Sequence, residues 1–553
     1  MATRRGPRLA IALGILAVGC LLALRLEDHA RRVALDPSVR GSAILPPLFA
    51  IVLAFATRQL LPSLGLAIAL GAILAARFDP VDAALRIADR YAWESILLDA
   101  SKLWIVVFTV ALMGTVSLVS AAGGVQALVS RFTGAARGPK SAQLLTFTAG
   151  FVAFFDDYTN AILLGTSMRP LFDRLRISRA KLAYLVDSTS APIAGLAVIS
   201  TWIGYEVGLF GDAAQGLGLA TSGYEIFFRA LPFRFYCYFA LLFVLLNVLS
   251  GREFGPMRRA EARARGGEVE PSTEFSPSQA TSPWVAILPI GLVLASTLLG
   301  LLWDGGGFSG ERGSLLSFAT WREVFGAADS TRILGLASLL GAGAAFALAL
   351  GMGLLTLSAA ARAFGRGARS MAPALGILFL AWGLSAVSED LGTSSLLVAA
   401  LSEALPPALL PIATFLLASA IAFATGTSWG TMGILIPTVL PLAYHAGGME
   451  VLVLCAAAVL DGAIFGDHVS PLSDTTLLSS IASEVELLEH VRTQLPYALV
   501  AFFSALVLGH GSVAAGLPYA LSWLLALAVI AASLYGLGRP PKEEVALPHP
   551  EAA

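Results

Sequence analysis

Carboxylates, hydroxyls and an imidazole gather where this apolar chain is interrupted. Asp156 and Asp157 stand together in Phe154-Phe155-Asp156-Asp157-Tyr158, and Asn160 follows about one helical turn later. Asp187, Ser188 and Thr189 precede Pro192. Thr427 and Ser428 lie in Gly426-Thr427-Ser428-Trp429-Gly430. Asp467, His468 and Ser470 lead into Pro471, with Ser473 and Asp474 just beyond. Asp461 lies nearly two turns before Asp467 and can share its helix face. Oxygen donors of this kind suit a small hard cation, which takes about six of them. A carboxylate withdrawn from water also holds a proton more tightly. A proton and a cation then contest one carboxylate, and contest plus alternating access is exchange. Asp156, Asp157 and Asp187 are chosen for that carboxylate, with Asp467 as a further cation ligand.

The plainer readings stand beside these. Asp156 or Asp157 can cap the helix that follows. Ser188 and Thr189 fit local satisfaction around a proline kink. His468 titrates near neutrality and reads equally as a proton sensor or a hydrogen-bonded core histidine. Glu389 and Asp390 interrupt another apolar run, where gating and a salt bridge to a basic residue fit equally. Trp202, Glu206 and Trp429 are weaker candidates.

The chain that must position these groups has 553 residues, 57% hydrophobic and 13% charged, with a mean hydropathy of +0.78. Ordinary soluble proteins carry about 25% charge, so this surface must face lipid. Disordered, secreted disulfide-rich and nucleic-acid-binding classes are excluded, the last because the net charge is −1. Cys20, Cys237 and Cys455 lie in apolar runs without metal-ligand spacing, so no zinc, iron–sulfur or other cofactor is expected.

A crossing helix needs about 20 apolar residues. Runs of that kind stand at 9–25, 43–57, 60–77, 102–121, 182–208, 229–249, 283–303, 333–359, 371–400, 451–483, 495–511 and 518–537. The first reads better as a transmembrane helix than as a signal peptide. Basic loops at 169–181, 251–282 and 360–370 fall on one side, the cytoplasm, which leaves both termini inside.

Segment 141–168 has basic residues on both flanks, so it reads as a re-entrant hairpin turning at Phe154–Tyr158. Segment 409–446 has no Lys or Arg on its flanks and suits a hairpin from the opposite face. Each hairpin precedes a helix with a polar break, at 187–192 and 467–471. The expected fold is therefore all-α and polytopic, with about 12 spans plus 2 hairpins in two inverted repeats. The division runs 1–42 (first span and connector), 43–250 (first repeat), 251–282 (flexible cytoplasmic linker), 283–511 (second repeat) and 512–553 (last span and tail). Ser483 to Glu486 fits a capping box opening a short amphipathic helix to about 494. Glycines in 335–353 are expected to permit close helix packing.

Phe154–Tyr158, Met168-Arg169-Pro170, Lys181–Thr189, Ser200-Thr201-Trp202-Ile203-Gly204, Gly426–Thr431 and Gly466–Thr476 resemble the NhaC family of sodium/proton antiporters. The resemblance covers roughly 100–480. It implies an ion-transporter fold of two inverted repeats, often a homodimer, with Na⁺ and H⁺ as substrates and the bacterial inner membrane as location. Malate/lactate exchangers coupled to sodium and protons belong to the same family, so organic-acid exchange is the alternative. No arginine is expected in a helix break to grip a carboxylate bidentately, which favours a bare cation.

Two remote readings come from other classes. Gly426–Gly430 fits the G-x-S-x-G elbow of serine hydrolases, with His445 and His468 as histidines, but an apolar helical run replaces the strand an elbow needs. Ile464-Phe465-Gly466-Asp467 lacks the first glycine of the G-x-G-D pattern of intramembrane aspartyl proteases. A channel fits less well than a transporter, because discontinuous carboxylate-bearing sites suit alternating access.

Overall fold

The computed structural model describes residues 41–57, 59–127, 137–266, 281–309, 318–393, 396 and 406–541. Among them the chain is helical, and the sole β-type pairing is an isolated antiparallel bridge between Glu253 and Arg539. Among the described residues eight helices are long and apolar enough to cross a bilayer, or nine if the bent pair Gly223–Phe233 and Phe235–Ser250 forms one span. The apolar runs suggested more. The run at 9–25 lies outside the described residues. The runs at 43–57 and 60–77 fold into the helices Leu45–Thr57 and Leu60–Ala75, of 13 and 16 residues. Both fall short of the roughly 20 that a full crossing takes.

The described residues pack as two compact units interleaved along the chain. The first takes residues up to Ala121, then Thr201–Arg234 and Ile287–Gly466; the second takes Ala122–Ser200, Phe235–Ala286 and residues from Asp467 onward. In the first unit, Ala100–Ala121 is flanked by Ser330–Gly351 and Leu357–Ser370. Two of the expected glycines permit close approach. A Cβ on Gly335 would lie 2.5 Å from the Trp104 ring, and one on Gly341 would lie 2.2 Å from Val293 Cγ2. Gly343 and Gly351 face open space instead. Leu410–Thr425 ends at Gly426, whose φ of +71° is the left-handed conformation glycine adopts without strain, and a new helix starts at Ser428. That second helix is interrupted at Gly447 and Gly448.

The second unit is built around Arg179–Ala194, in which every residue from Ala180 onward is buried. Pro139–Val152, Asp157–Arg174, Phe235–Ser250, Gly255–Arg265, Asp474–Ser483 and Leu487–Phe503 all pack on it. The first two are separated by the four residues 153–156, so the chain does break at Phe154–Asp156, and the following helix runs on to Arg174.

Four expectations are corrected here. The polar stretch 187–192 is helical, and the break falls at 195–200. Proline removes only one helical donor, and the hydroxyls stay on the helix: Thr189 Oγ1 donates to the Leu185 carbonyl at 2.7 Å and Ser190 Oγ to that of Asp187 at 2.9 Å. Ser483 opens no capping box. It is the last residue of Asp474–Ser483, Glu484 turns left-handed, and the next helix runs from Leu487 to Phe503 with no side-chain cap. The 251–282 linker is ordered at its start, where Gly255–Arg265 buries Met257, Ala260 and Glu261; residues 267–280 lie outside the described set. Lys181, counted as a loop charge, is buried. Its Nζ pairs with Glu253 at 2.7 Å, bonds Asn247 and sits over the rings of Tyr184 and Tyr497.

Glu261 closes this end of the unit by accepting hydrogen bonds from the Ser178 amide at 2.9 Å and hydroxyl at 2.7 Å. Burial and the neighbouring Glu253 push its carboxyl above the ordinary glutamate value. A raised folded value means that its contribution is fully present below the ordinary glutamate pKa and is lost as pH rises through the raised one. Amide exchange in 255–265, corrected for intrinsic rates, is therefore expected to quicken with rising pH in the wild type and to stay level in Glu261→Gln. A level wild-type profile would contradict this.

Candidate ion-binding sites

Asp187 is fully buried in the second unit. Its Oδ2 accepts from His490 Nε2 at 3.1 Å and Gln494 Nε2 at 2.9 Å, and its Oδ1 accepts from Ser479 Oγ at 3.4 Å. His490 and Gln494 are four residues apart on Leu487–Phe503, so one helix face presents both. Gln494 Nε2 also donates to the His468 carbonyl. The His468 ring is held by the Tyr236 hydroxyl at 2.7 Å and Ser188 Oγ at 3.1 Å. Five helices thus fix one carboxylate and two imidazoles away from water. An ionised carboxylate offers about four lone-pair positions. The three donors leave one for a proton or a cation.

Neutral oxygens without donors accompany this carboxylate in the same unit. Asn160 Nδ2 donates to the carbonyls of Gly150 at 3.1 Å and Thr189 at 3.0 Å, while its Oδ1 is buried without a partner. Gln494 Oε1 is likewise buried and unpartnered. Carbonyl oxygens of this kind are what a desolvated hard cation takes in exchange for hydration water. Among the described residues no group of three or more His, Cys, Asp or Glu is placed to hold a metal ion. The acidic residues therefore do not converge on one cage.

Asp156 is the N-cap of Asp157–Arg174, accepting from the Thr159 amide at 2.8 Å and hydroxyl at 2.6 Å, which is the plainer of its two readings. Asp157 follows it, buried at the helix start. Asp467 and Ser470 are buried at the end of the helix that finishes at His468, where the second break falls as expected. Asp474 is exposed and accepts from the Tyr158 hydroxyl at 3.2 Å.

Thr427, Ser428 and Asp461 belong to the first unit. Ser428 begins a helix after a helix, and its Oγ donates to the Ala463 carbonyl at 3.2 Å, so the strand–turn–helix setting of a nucleophile elbow is not there. Asp461 is held by Arg234, whose Nε donates to Oδ1 at 3.1 Å. This corrects the expectation that no arginine occupies a break. Arg234 lies between Leu231–Phe233 and Phe235–Ser250, where the chain bends by 45°. Asp390 pairs with Arg90, lies 3.6 Å from Arg86 and accepts from the Tyr91 hydroxyl at 2.9 Å, so the salt bridge is the reading that holds for it. Glu389 is exposed and lines a 270 Å³ cavity with Asp212 and His445.

Sequence reasoning missed His490, Gln494, Ser479, Tyr236 and Arg234. Arg234, well inside the apolar run 229–249, was a legible signal, since a charge in a spanning segment needs a partner. His490 and Gln494 were hidden by the amphipathic reading of 483–494.

A helical chain with several apolar spans and ionisable groups buried beside helix breaks is an integral multi-pass membrane transporter. The Na⁺/H⁺ antiporter family model matches residues 193–510, and this chain belongs to that family, the one its motifs resemble. It is 31% identical over 500 residues to an uncharacterized protein of Haemophilus influenzae, covering 89% of this chain and 93% of that one. It is 41% identical over 106 residues to the malate-2H⁺/Na⁺-lactate antiporter of Bacillus subtilis, 19% of this chain and 22% of that one. Its fold is similar to the YdaH transporter of Alcanivorax borkumensis, with a TM-score of 0.53 and 16% identity over 82% of this chain and 99% of that one.

Asn160 pins Gly150 and Thr189 to the same amide, so Asn160→Ala is expected to cost about 1–3 kcal/mol through the loss of two buried hydrogen bonds. The thermal midpoint of the detergent-purified chain should fall by several degrees. An unchanged midpoint would show that this amide does not hold the helices together.

Proposed function

We propose that this antiporter exchanges Na⁺ for H⁺ across the bacterial inner membrane by alternating access. Asp187 is the carboxylate that the two ions contest. The observation that carries this reading is the Asp187 environment: a buried carboxylate with three neutral or imidazole donors and one lone-pair position to spare. Asn160 Oδ1 and Gln494 Oε1 are the further oxygen donors for Na⁺ in the second unit, and Ser188 with His468 orders their surroundings. Two inverted repeats, each with a hairpin and a broken helix, give the ion access from either face, and both termini lie in the cytoplasm. Proton release on Na⁺ entry keeps the local charge constant, which is why one carboxylate suffices for coupling.

The test uses everted vesicles from antiporter-deficient bacteria with a ΔpH-sensitive dye. Na⁺ is expected to dissipate ΔpH in the wild type, and Asp187→Asn should reduce the initial rate at least tenfold at equal expression. A response that requires malate and lactate together, with none to Na⁺ alone, would transfer the chain to organic-acid exchange. Full activity in Asp187→Asn would remove this residue from the coupling site.

A further inference from the structure

Glu206 stands on Thr201–Gly216 in the first unit, fully buried, and neither of its carboxylate oxygens makes a hydrogen bond. Its charged neighbours are Arg234, whose Nη1 lies 3.6 Å from Oε1, and Asp461. Arg234 is committed first to Asp461, through the hydrogen bond from Nε at 3.1 Å. One guanidinium therefore faces two carboxylates, and all three side chains are sealed from solvent. With both acids ionised, the group would keep an excess negative charge in a medium that solvates it poorly. The excess would fall on the acid that lacks donors. Asp461 is the acid already matched by the guanidinium, through its charge-assisted hydrogen bond. Glu206 is the one that needs a neutralising particle.

We propose that Glu206 carries a proton in the resting protein and that this site exchanges the proton for a monovalent alkali cation. One H⁺ leaves the Glu206 carboxyl for water as one cation arrives, so the charge of the group is conserved. The exchange step rests on the antiport reading given above; the bound proton does not. The helix that bears Glu206 also grips the start of the helix that opens at Ser428 within the same unit. The Tyr205 hydroxyl donates to the Trp429 carbonyl at 2.5 Å, and the ring centroids of Trp202 and Trp429 are 5.7 Å apart. A change of occupant at Glu206 thus acts on the helix that holds Gly426–Gly430 in place.

Infrared difference spectroscopy on the full chain in lipid tests this. The wild type at neutral pH should show a protonated-carboxyl C=O band that shifts in D₂O, weakens on adding NaCl or LiCl, and is lost in Glu206→Gln. That variant keeps the Arg234–Asp461 pair, so its fold is preserved. In Asp461→Asn one carboxylate is left for one guanidinium, Glu206 should ionise, and the same band should vanish. Identical carboxyl bands in wild type and Glu206→Gln would overturn the proposal. A Glu206 band that persists undiminished in NaCl and LiCl would overturn the exchange step. If vesicles show no Na⁺-driven ΔpH dissipation while the Glu206 band is present, the antiport reading fails and the protonated acid stands.

Discussion

A polar or charged group held away from water must find its partner within the chain, and this requirement organises the described structure. Lys181 draws Asn247 and Glu253 onto one end of the second unit. Asp187 draws His490, Gln494 and Ser479 around the middle of its helix. Arg234 draws Asp461 and Glu206 together in the first unit. Each charge selects which helices are neighbours, because leaving it alone would cost several kcal/mol. Apolar contacts between helices in lipid carry no comparable selectivity, since lipid tails are as apolar as leucine.

The backbone obeys the same constraint. A helix can stop at membrane depth only where its freed amides and carbonyls are taken up by other groups. At 153–156 the Asp156 side chain takes the Thr159 amide. After Thr425, Gly426 turns left-handed and its amide returns to the Ala422 carbonyl. These breaks gather hydroxyls, carboxylates and carbonyls among buried helices.

The two units bury different chemistry. The second offers a carboxylate held by His490, Gln494 and Ser479, beside amide oxygens buried without a partner. The first offers a guanidinium with two acids, one bonded and one not. Arg234 in a break weakens the preference for a bare cation over an organic anion that a missing arginine implied. Its engagement with Asp461 leaves that argument part of its force, because the guanidinium is already spent on a carboxylate of the chain itself.

Composition alone settled that the chain lives in lipid, because 13% charge cannot clothe a soluble surface. Motif order settled the family, and proline, glycine and acidic positions marked the neighbourhoods of the breaks at 153–156, 426–427 and after His468. The sequence also named Asp187, Ser188, His468 and Asn160, since polar groups in apolar runs are legible one at a time. Their partners were not legible. His490 lies 303 residues from Asp187, Asp461 lies 227 from Arg234, and Tyr236 lies 232 from His468. Only packing brings such pairs within hydrogen-bond reach. The exact end of a helix was equally a tertiary matter. Pro192 removes one donor, yet its helix continues to Ala194, buried by the surrounding helices. Local spacing fixes which groups have to be satisfied, and the three-dimensional arrangement decides which others satisfy them.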